Sequence, residues 1–519
     1  KIIFGGNMGE YIIAYDVGTS CNKALLVDKN GVPIGSTIES YPIYYPQINY
    51  AEQNPDDWWD AVCKTTKNLI KNCGVKKEEI IGMTFSTQML GIVPVDKNGK
   101  LSNAIIWIDS RAIKEADWMM KKFINSKIFA LLAGAPLTGK DGMPKLLWIK
   151  NNEKEIYEKM IYFLDVDGYL IYKATGNMVM ELSNASAFGI DLKKKDWLRW
   201  IFNYIGFDTK KLPPLVKSTD IVGKLKKEAA EECGLLEGTS VIAGAGDALC
   251  ASVGSFALEE GDTHVYLGTS GWVGAITKKH PTGKFGIAAI QSADYDYSLL
   301  FAETETAGEC LRWIKDEFYE KESQDPNIKN VYALMDEEVK KVPAGSDFLI
   351  FTPWLYGERA PINDCYVRSS FINLCINHKR ENLLRAVYEG VGYNIRWIIE
   401  MLEKGFNFKI PNLRIIGGGA KGDIWMQIIS DITNKKVEVL PYPQERGAIG
   451  AAFIGFIGLN YFENFSSLKK ISKIEKTFYP EEENKKIYDF LYEKYKLVYK
   501  NLKKFYVDLN KEVESFKKT

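Results

Sequence analysis

Apolar and polar positions follow a short period at the start of the chain. Residues 11–17, YIIAYDV, are nearly continuous apolar residues up to Asp16, and the run then breaks into Gly18-Thr19-Ser20. NKALLVD, the turn DKNG and VPIGSTIES follow, so the pattern predicts three strands over residues 11–40. NPDDWWDAVCKTTKNLI predicts a helix with Asn54 as N-cap, Pro55 in the first helical position, and Asp56 and Asp57 at its positive end. EIIGMTFST predicts a strand left by the loop QMLG, and AIIWIDSR predicts another strand ending in polar residues.

The second half repeats the opening shape. HVYLGTSGWVGAI runs apolar, turns through Gly268-Thr269-Ser270, and runs apolar again; the residue before its glycine is Leu267, not an acid. Gly18 and Gly268 stand 250 positions apart, which predicts two related half-molecules facing something between them. The glycine-rich stretch 238–263 predicts a strand, a tight turn, a short helix opened by Asp247 and an interdomain connection. SLLFAETETAGECLRWI and LRIIGGGAKGDIWMQIISDIT predict strand-to-helix units, and DFLIFTPWLYGERAP predicts strand to loop. Leu384, Val387, Val391, Ile395, Ile398 and Leu402 form a helical stripe. Ile487, Leu491, Tyr495, Val498, Leu502 and Phe505 form another, read as a docked surface helix. Strands alternating with helices predict an α/β protein whose ligands bind beyond the carboxyl ends of the strands.

Composition narrows the function. At 519 residues the chain calls for two large domains. Lys+Arg and Asp+Glu both number 67, which leaves no basic footprint for nucleic acid or an anionic membrane. No apolar run is long enough for a membrane helix, no secretory signal is visible, and Met8 reads as the natural start. Eight cysteines without a C-x-x-C pair read as thiols of a cytoplasmic protein. None of the three histidines has metal-ligand spacing, and His264 reads as a packed residue. Acid–base chemistry therefore falls to carboxylates.

Four motifs carry candidate chemistry. GAPLTGKD, residues 134–141, nearly matches a phosphate loop but is rejected: Asp141 stands where a hydroxyl is needed, and Pro144 follows too closely. The two Gly-Thr-Ser turns suit phosphate, because glycine lets successive N–H groups converge on an anion. Thr19, Ser20, Thr269 and Ser270 add hydroxyls, Lys23 a charge, and Asp16 a ligand for Mg²⁺. Asp247, following a strand and opening a helix, reads either as a plain N-cap or as the acceptor of a substrate proton. A helix N-terminus would lower its pKa and weaken it as a base. IIGGGAKGD, with Gly418, Gly419, Ala420 and Asp423, offers a nucleotide-sized slot.

Together these motifs resemble the FGGY family of carbohydrate kinases, most of all its xylulokinase branch. The likeness covers residues 11–456 and rests on the ordered motifs YDVGTSCNKALLVD, AEQNPDDWW, STQMLG, IIWIDSR, MPKLLWIK, GAGDALC, YLGTSG, PWLYGERAP and IIGGGAKGDIW. The resemblance implies two ribonuclease H-like domains of the actin and hexokinase type flanking a cleft. Residues 8–256 would form the sugar-binding domain, 257–458 the nucleotide-binding domain, and 459–519 a helical extension. It implies ATP and Mg²⁺ as cofactors and a small sugar as substrate, with a homodimer left open. Asp247 would be the catalytic base, and Asp16 would serve metal and phosphates. Gly18, Thr19, Ser20, Lys23, Gly268, Thr269, Gly308, Gly419, Ala420 and Asp423 would hold the nucleotide. Gln88, Met89, Leu90, Trp107 and Asp109 would hold the sugar. Two residues depart from the branch: Leu90 stands where histidine is usual, and Ile108 where asparagine is common. Xylulose is the expected substrate, with ribulose, erythritol, glycerol and gluconate as alternatives; a non-kinase ATPase of this fold or a sugar sensor is the competing class.

Overall fold

The computed structural model describes residues 9–123, 137–284 and 286–516, with side chains described to residue 511. In it, alternate residues of β1 (Tyr11–Val17) enter two different cores. Ile13, Tyr15 and Val17 pack with Trp58 and Trp59 of α1 (Pro55–Cys73). Ile12 and Ala14 face a second cluster containing Ile449 and Phe453. This explains the unbroken apolar run: both faces of the strand are covered. A period of two also places Asp16 on the Ile12–Ala14 face.

β1 pairs antiparallel with β2 (Cys21–Asp28), which pairs antiparallel with β3 (Pro33–Ser40). On its other side β1 lies parallel to β4 (Ile80–Thr87). β5 (Ile221–Lys224) and β6 (Ser240–Ile242) extend the sheet in the order β5-β6-β4-β1-β2-β3, and the short strand Ala245–Gly246 also pairs with β4. Asn54 caps α1 as expected, accepting from the Asp56 N–H at 3.3 Å, and Gly74 ends it with φ 66°. AIIWIDSR differs from expectation: only Ala104–Ile105 is strand, and the rest turns back through an Asp109 N–H bond to the Ile106 carbonyl.

The C-terminal sheet repeats this plan. It contains β7 (Thr263–Leu267), β8 (Gly271–Thr277), β9 (Ala288–Gln291), β10 (Ser298–Thr304), β11 (Asn412–Ile416), β12 (Lys436–Val439) and β13 (Lys476–Phe478). Their order is β9-β10-β8-β7-β11-β12-β13. β7 pairs antiparallel with β8 and parallel with β11, as β1 does with β2 and β4. The six-strand paths match strand for strand, with β9 an extra edge of the second sheet and Ala245–Gly246 an extra strand of the first.

Two helices join the halves. α2 (Asp247–Gly254) crosses the helix Arg446–Gly458, which packs on the N-terminal sheet although it follows the C-terminal one. The approach requires glycine. A Cβ on Gly254 would lie 1.8 Å from the Arg446 carbonyl oxygen, and one on Gly450 1.8 Å from that of Cys250. The segment beyond residue 459 is more than an appended helix. It supplies the edge strand β13, and its helix Glu482–Phe516 buries Tyr488, Leu491, Tyr492 and Tyr495 in the C-terminal core. The expected stripe holds at Leu491, Tyr495 and Val498, but Phe505 is exposed, because the tyrosines fill the face toward the core. Among the described residues no helix is long and apolar enough to cross a membrane.

Candidate active site

The two Gly-Thr-Ser turns leave the carboxyl ends of β1 and β7, and both open on one cleft of about 1050 Å³. Asp16, Gly18, Thr19, Ser20, Thr269, Ser270 and Asp247 line it. Each turn is closed by its glycine: Gly18 N–H donates to the Cys21 carbonyl, and Gly268 N–H to that of Ser270, both at 3.0 Å. The first turn is also clamped from outside. Trp107 Nε1 donates to Thr19 Oγ1 at 2.8 Å, and Gln53 Nε2 donates to the Thr19 carbonyl at 2.7 Å. Gln53 Oε1 in turn accepts from Trp58 and from Gln88.

Burial dominates the electrostatics. It raises the Asp16 carboxyl, against the opposing pull of the Ser86 hydroxyl, which donates at 3.1 Å, and of the Lys23 charge. Asp247 is the first residue inside α2, and Gly246 takes the N-cap place. Its Oδ1 accepts from the Ala248 N–H at 2.7 Å. Even so, desolvation, reinforced by Asp16 and Glu303, pushes Asp247 up to about 7. The expected lowering by the helix terminus is therefore outweighed by burial. A carboxyl poised near neutrality suits the capture of a hydroxyl proton.

The facing wall comes from the C-terminal domain. Glu303 of β10 is held by Arg359, whose Nε also donates to Glu305 at 2.7 Å. The same guanidinium lies 5.9 Å from the Trp107 ring centre, so it spans the two domains. Tyr266 and Trp272 stack with ring centres 4.0 Å apart, and Trp272 Nε1 donates to His264 Nε2 at 2.9 Å. His264 is buried, as the sequence implies.

Gln88, Met89, Leu90 and Trp107 line the opposite part of the cleft. Leu90 has φ 61°, a left-handed backbone that costs a leucine roughly 1–2 kcal/mol. The Gln88 Oε1 is buried without a protein partner. Asp109 is not on the cleft surface: it is fully buried, accepting from the Ala51 N–H at 2.6 Å and from Arg111 Nε at 2.9 Å. Ile108 packs against the N-terminal core and does not line the cleft either.

Several expected nucleotide residues also lie off its lining. Lys23 sits 3.9 Å from Glu445. Gly268 is covered by the Tyr266 ring, which a Cβ there would strike at 2.4 Å. Gly308 packs beneath the second turn, its N–H donating to the Gly268 carbonyl at 2.8 Å. Gly419 and the buried Ala420 form the turn beside Gln444, a cleft residue, while Asp423 pairs with Lys476 at 2.7 Å. Helix Gly142–Asn152 does begin directly after Asp141, with Pro144 accommodated in its first turn; residues 134–136 of the rejected phosphate loop lie outside the described residues. Sequence reasoning missed Ser86, Glu303 and Arg359, although each sits inside or beside a quoted motif as a polar residue closing an apolar run.

Residues 11–254 match the N-terminal domain of the FGGY family of carbohydrate kinases, and residues 264–459 match its C-terminal domain. The chain belongs to the FGGY family of carbohydrate kinases. It is 33% identical over 514 residues to a xylulose kinase of Bacillus subtilis, covering 98% of this chain and all of that one. A gluconokinase of the same organism is 30% identical over 465 residues, covering 89% of this chain and 90% of that one. A ligand-bound crystal structure of xylulose kinase from Lactobacillus acidophilus superposes with a TM-score of 0.86 at 26% identity, over 96% of this chain and 100% of that one. The two-domain α/β ATPase fold, the carbohydrate kinase activity and the use of ATP follow from this membership.

Proposed function

We propose that this kinase transfers the γ-phosphoryl group of ATP to a hydroxyl of an uncharged ketose, xylulose first, giving xylulose 5-phosphate and ADP. The observation that carries this reading is the convergence of both Gly-Thr-Ser turns and Asp247 on one cleft. Charge argues against a sugar acid. Asp16, Asp141, Asp191, Asp247 and Glu303 line the cleft, against Lys193 and an Arg359 already engaged by Glu303 and Glu305. An acceptor carboxylate would meet uncompensated repulsion there. Leu90, apolar where the xylulokinase branch has histidine, favours another pentulose or a polyol as the second reading.

In this reading the acceptor lies against Gln88, Met89, Leu90 and Trp107. Its hydroxyl proton passes to Asp247 as the new O–P bond forms and the bond from the γ-phosphorus to the bridging oxygen breaks. The transition state is loose, so alignment and charge supply most of the acceleration. Thr19, Ser20, Thr269 and Ser270 hold phosphate oxygens from the two sides. Asp16 would hold the metal ion that accompanies ATP. Among the described residues no three His, Cys, Asp or Glu form a metal cage. A single carboxylate at the first turn fits a cation of the Mg²⁺ type brought in with the phosphates, which would supply charge neutralisation there. Approach of the two domains excludes water, the competing acceptor.

The test is ADP release across a panel of ketoses, polyols and sugar acids. Xylulose should give the highest kcat/KM and gluconate a far lower one. Preference for gluconate, or ADP release indifferent to any sugar, would overturn the reading.

A further inference from the structure

Asp247 stands on a turn that cannot cap itself. Gly246, the N-cap residue of α2, has no side chain to fix the turn, and none would fit: a Cβ there would lie 2.8 Å from Met89 Sδ and 3.1 Å from Asn184 Oδ1. Glycine is also the most freely moving residue in a backbone. Ala245 and Gly246 pair in parallel with Ser86 and Thr87 of β4, and the Gly246 N–H is fixed from a second, distant segment. Gly246 N–H donates to Ser183 Oγ at 3.1 Å. Ser183 donates its own hydroxyl proton to Glu181, so its lone pairs are left for Gly246. Glu181 also accepts from the Ser183 N–H at 2.7 Å and the Asn184 N–H at 3.2 Å, which fixes the serine backbone.

This anchor is expensive. Glu181 and Ser183 are buried, and the carboxyl has Asp165 as a neighbour and no cation partner, so burial pushes it up to about 8. Orienting a hydroxyl by itself does not require a buried acid, and burying one without a cation costs stability. The same short helix, Leu182–Ser186, leads directly to Ser186 and Ala187, which line the cleft. One buried anchor therefore sets both the catalytic turn and part of the cleft wall.

We propose that Ser183, oriented by Glu181, is a positioning residue for Asp247, holding its carboxylate in line with the acceptor hydroxyl. The inference rests on the role proposed above for Asp247. Ser183→Ala should lower kcat roughly tenfold or more, since a small misplacement of a reacting group suffices for that, while KM for ATP and for sugar stays within about threefold. Hydrogen exchange of the peptide holding Gly246 should speed up, a readout that needs no turnover and separates failure of this inference from failure of the kinase reading. If Ser183→Ala does not fold, Glu181→Ala keeps the hydroxyl but removes the acceptor that orients it, and should show the same kcat-against-KM split. A folded variant with parental kcat and parental exchange at Gly246 would overturn the proposal. So would a loss of kcat that merely tracks a fall in unfolding temperature, with both KM values rising alongside.

Discussion

Asp16 and Tyr266 occupy the same position in two copies of one sheet. Each lies two residues before its turn glycine, on the strand that pairs antiparallel with the next and parallel with a later one. Across the hairpin Asp16 faces Lys23, and Tyr266 faces Trp272. The duplicated scaffold thus carries an acid on one side of the cleft and an aromatic stack on the other. The residue before the second glycine, Leu267, is the counterpart of Val17, so the comparison that matters sits one position earlier.

This asymmetry predicts a charge limit. Tyr266→Asp adds a carboxylate close to Asp16 and Asp247, whose charges already raise the Tyr266 phenol beyond the effect of burial. Affinity for ATP should fall roughly tenfold, about 1.4 kcal/mol, when titrated calorimetrically. Tyr266→Phe keeps the stack on Trp272 and should bind ATP as the parent does. Equal affinity in both variants would remove Tyr266 from the phosphate region.

Asp247 predicts a pH profile. Its base form is the active one, so kcat/KM for the sugar should rise with pH through an apparent pKa near 7 and level off above it. Asp247→Asn should abolish turnover and yet stabilise the fold. A carboxyl raised from 3.8 to about 7 costs nothing below its unfolded value, and its penalty grows until the folded value is passed. The stability gain of the variant should therefore be small near pH 4 and full near pH 8, as read by denaturant unfolding.

Gly450 predicts a packing failure. Its added Cβ would meet the Cys250 carbonyl at 1.8 Å and the Gly254 nitrogen at 2.6 Å, both backbone atoms that cannot swing aside. Gly450→Ala should cost about 3 kcal/mol or more, at the upper end for overpacking, and lower the unfolding temperature by several degrees. A parental melting curve would mean that the helices do not cross as described.

Leu90 predicts a specificity change. It lines the cleft on a left-handed backbone, a conformation held by its surroundings. Leu90→His should shift the ratio of kcat/KM between xylulose and a polyol such as erythritol by roughly tenfold or more, because a hydroxyl-reading group discriminates strongly. An unchanged ratio would mean that the position does not touch the acceptor.

Much of the fold was legible in local pattern. The Asn54 cap, the β1–β3 hairpins and the long helix Arg380–Phe406 follow from spacing that is local in the chain. AIIWIDSR misled because its apolar residues are buried by tertiary contact without strand pairing beyond Ala104–Ile105. Asp109 is expected beside the sugar from the family resemblance of IIWIDSR, but in the structure it is engaged by Arg111 and the Ala51 N–H. The Glu303–Arg359 pair and the Ser183–Gly246 contact were invisible because each bond links segments distant in sequence.

By itself, the sequence determined the repeated strand–turn–strand units and the face on which Asp16 projects, since a strand's period of two depends only on neighbouring residues. Only the tertiary structure decided which polar groups meet, which glycines bear a helix crossing, and that burial lifts Asp247 against its helix terminus. Those outcomes depend on how two sheets and the helices between them stack, and solvent exclusion at that junction is a property of the assembled halves, not of any stretch within one.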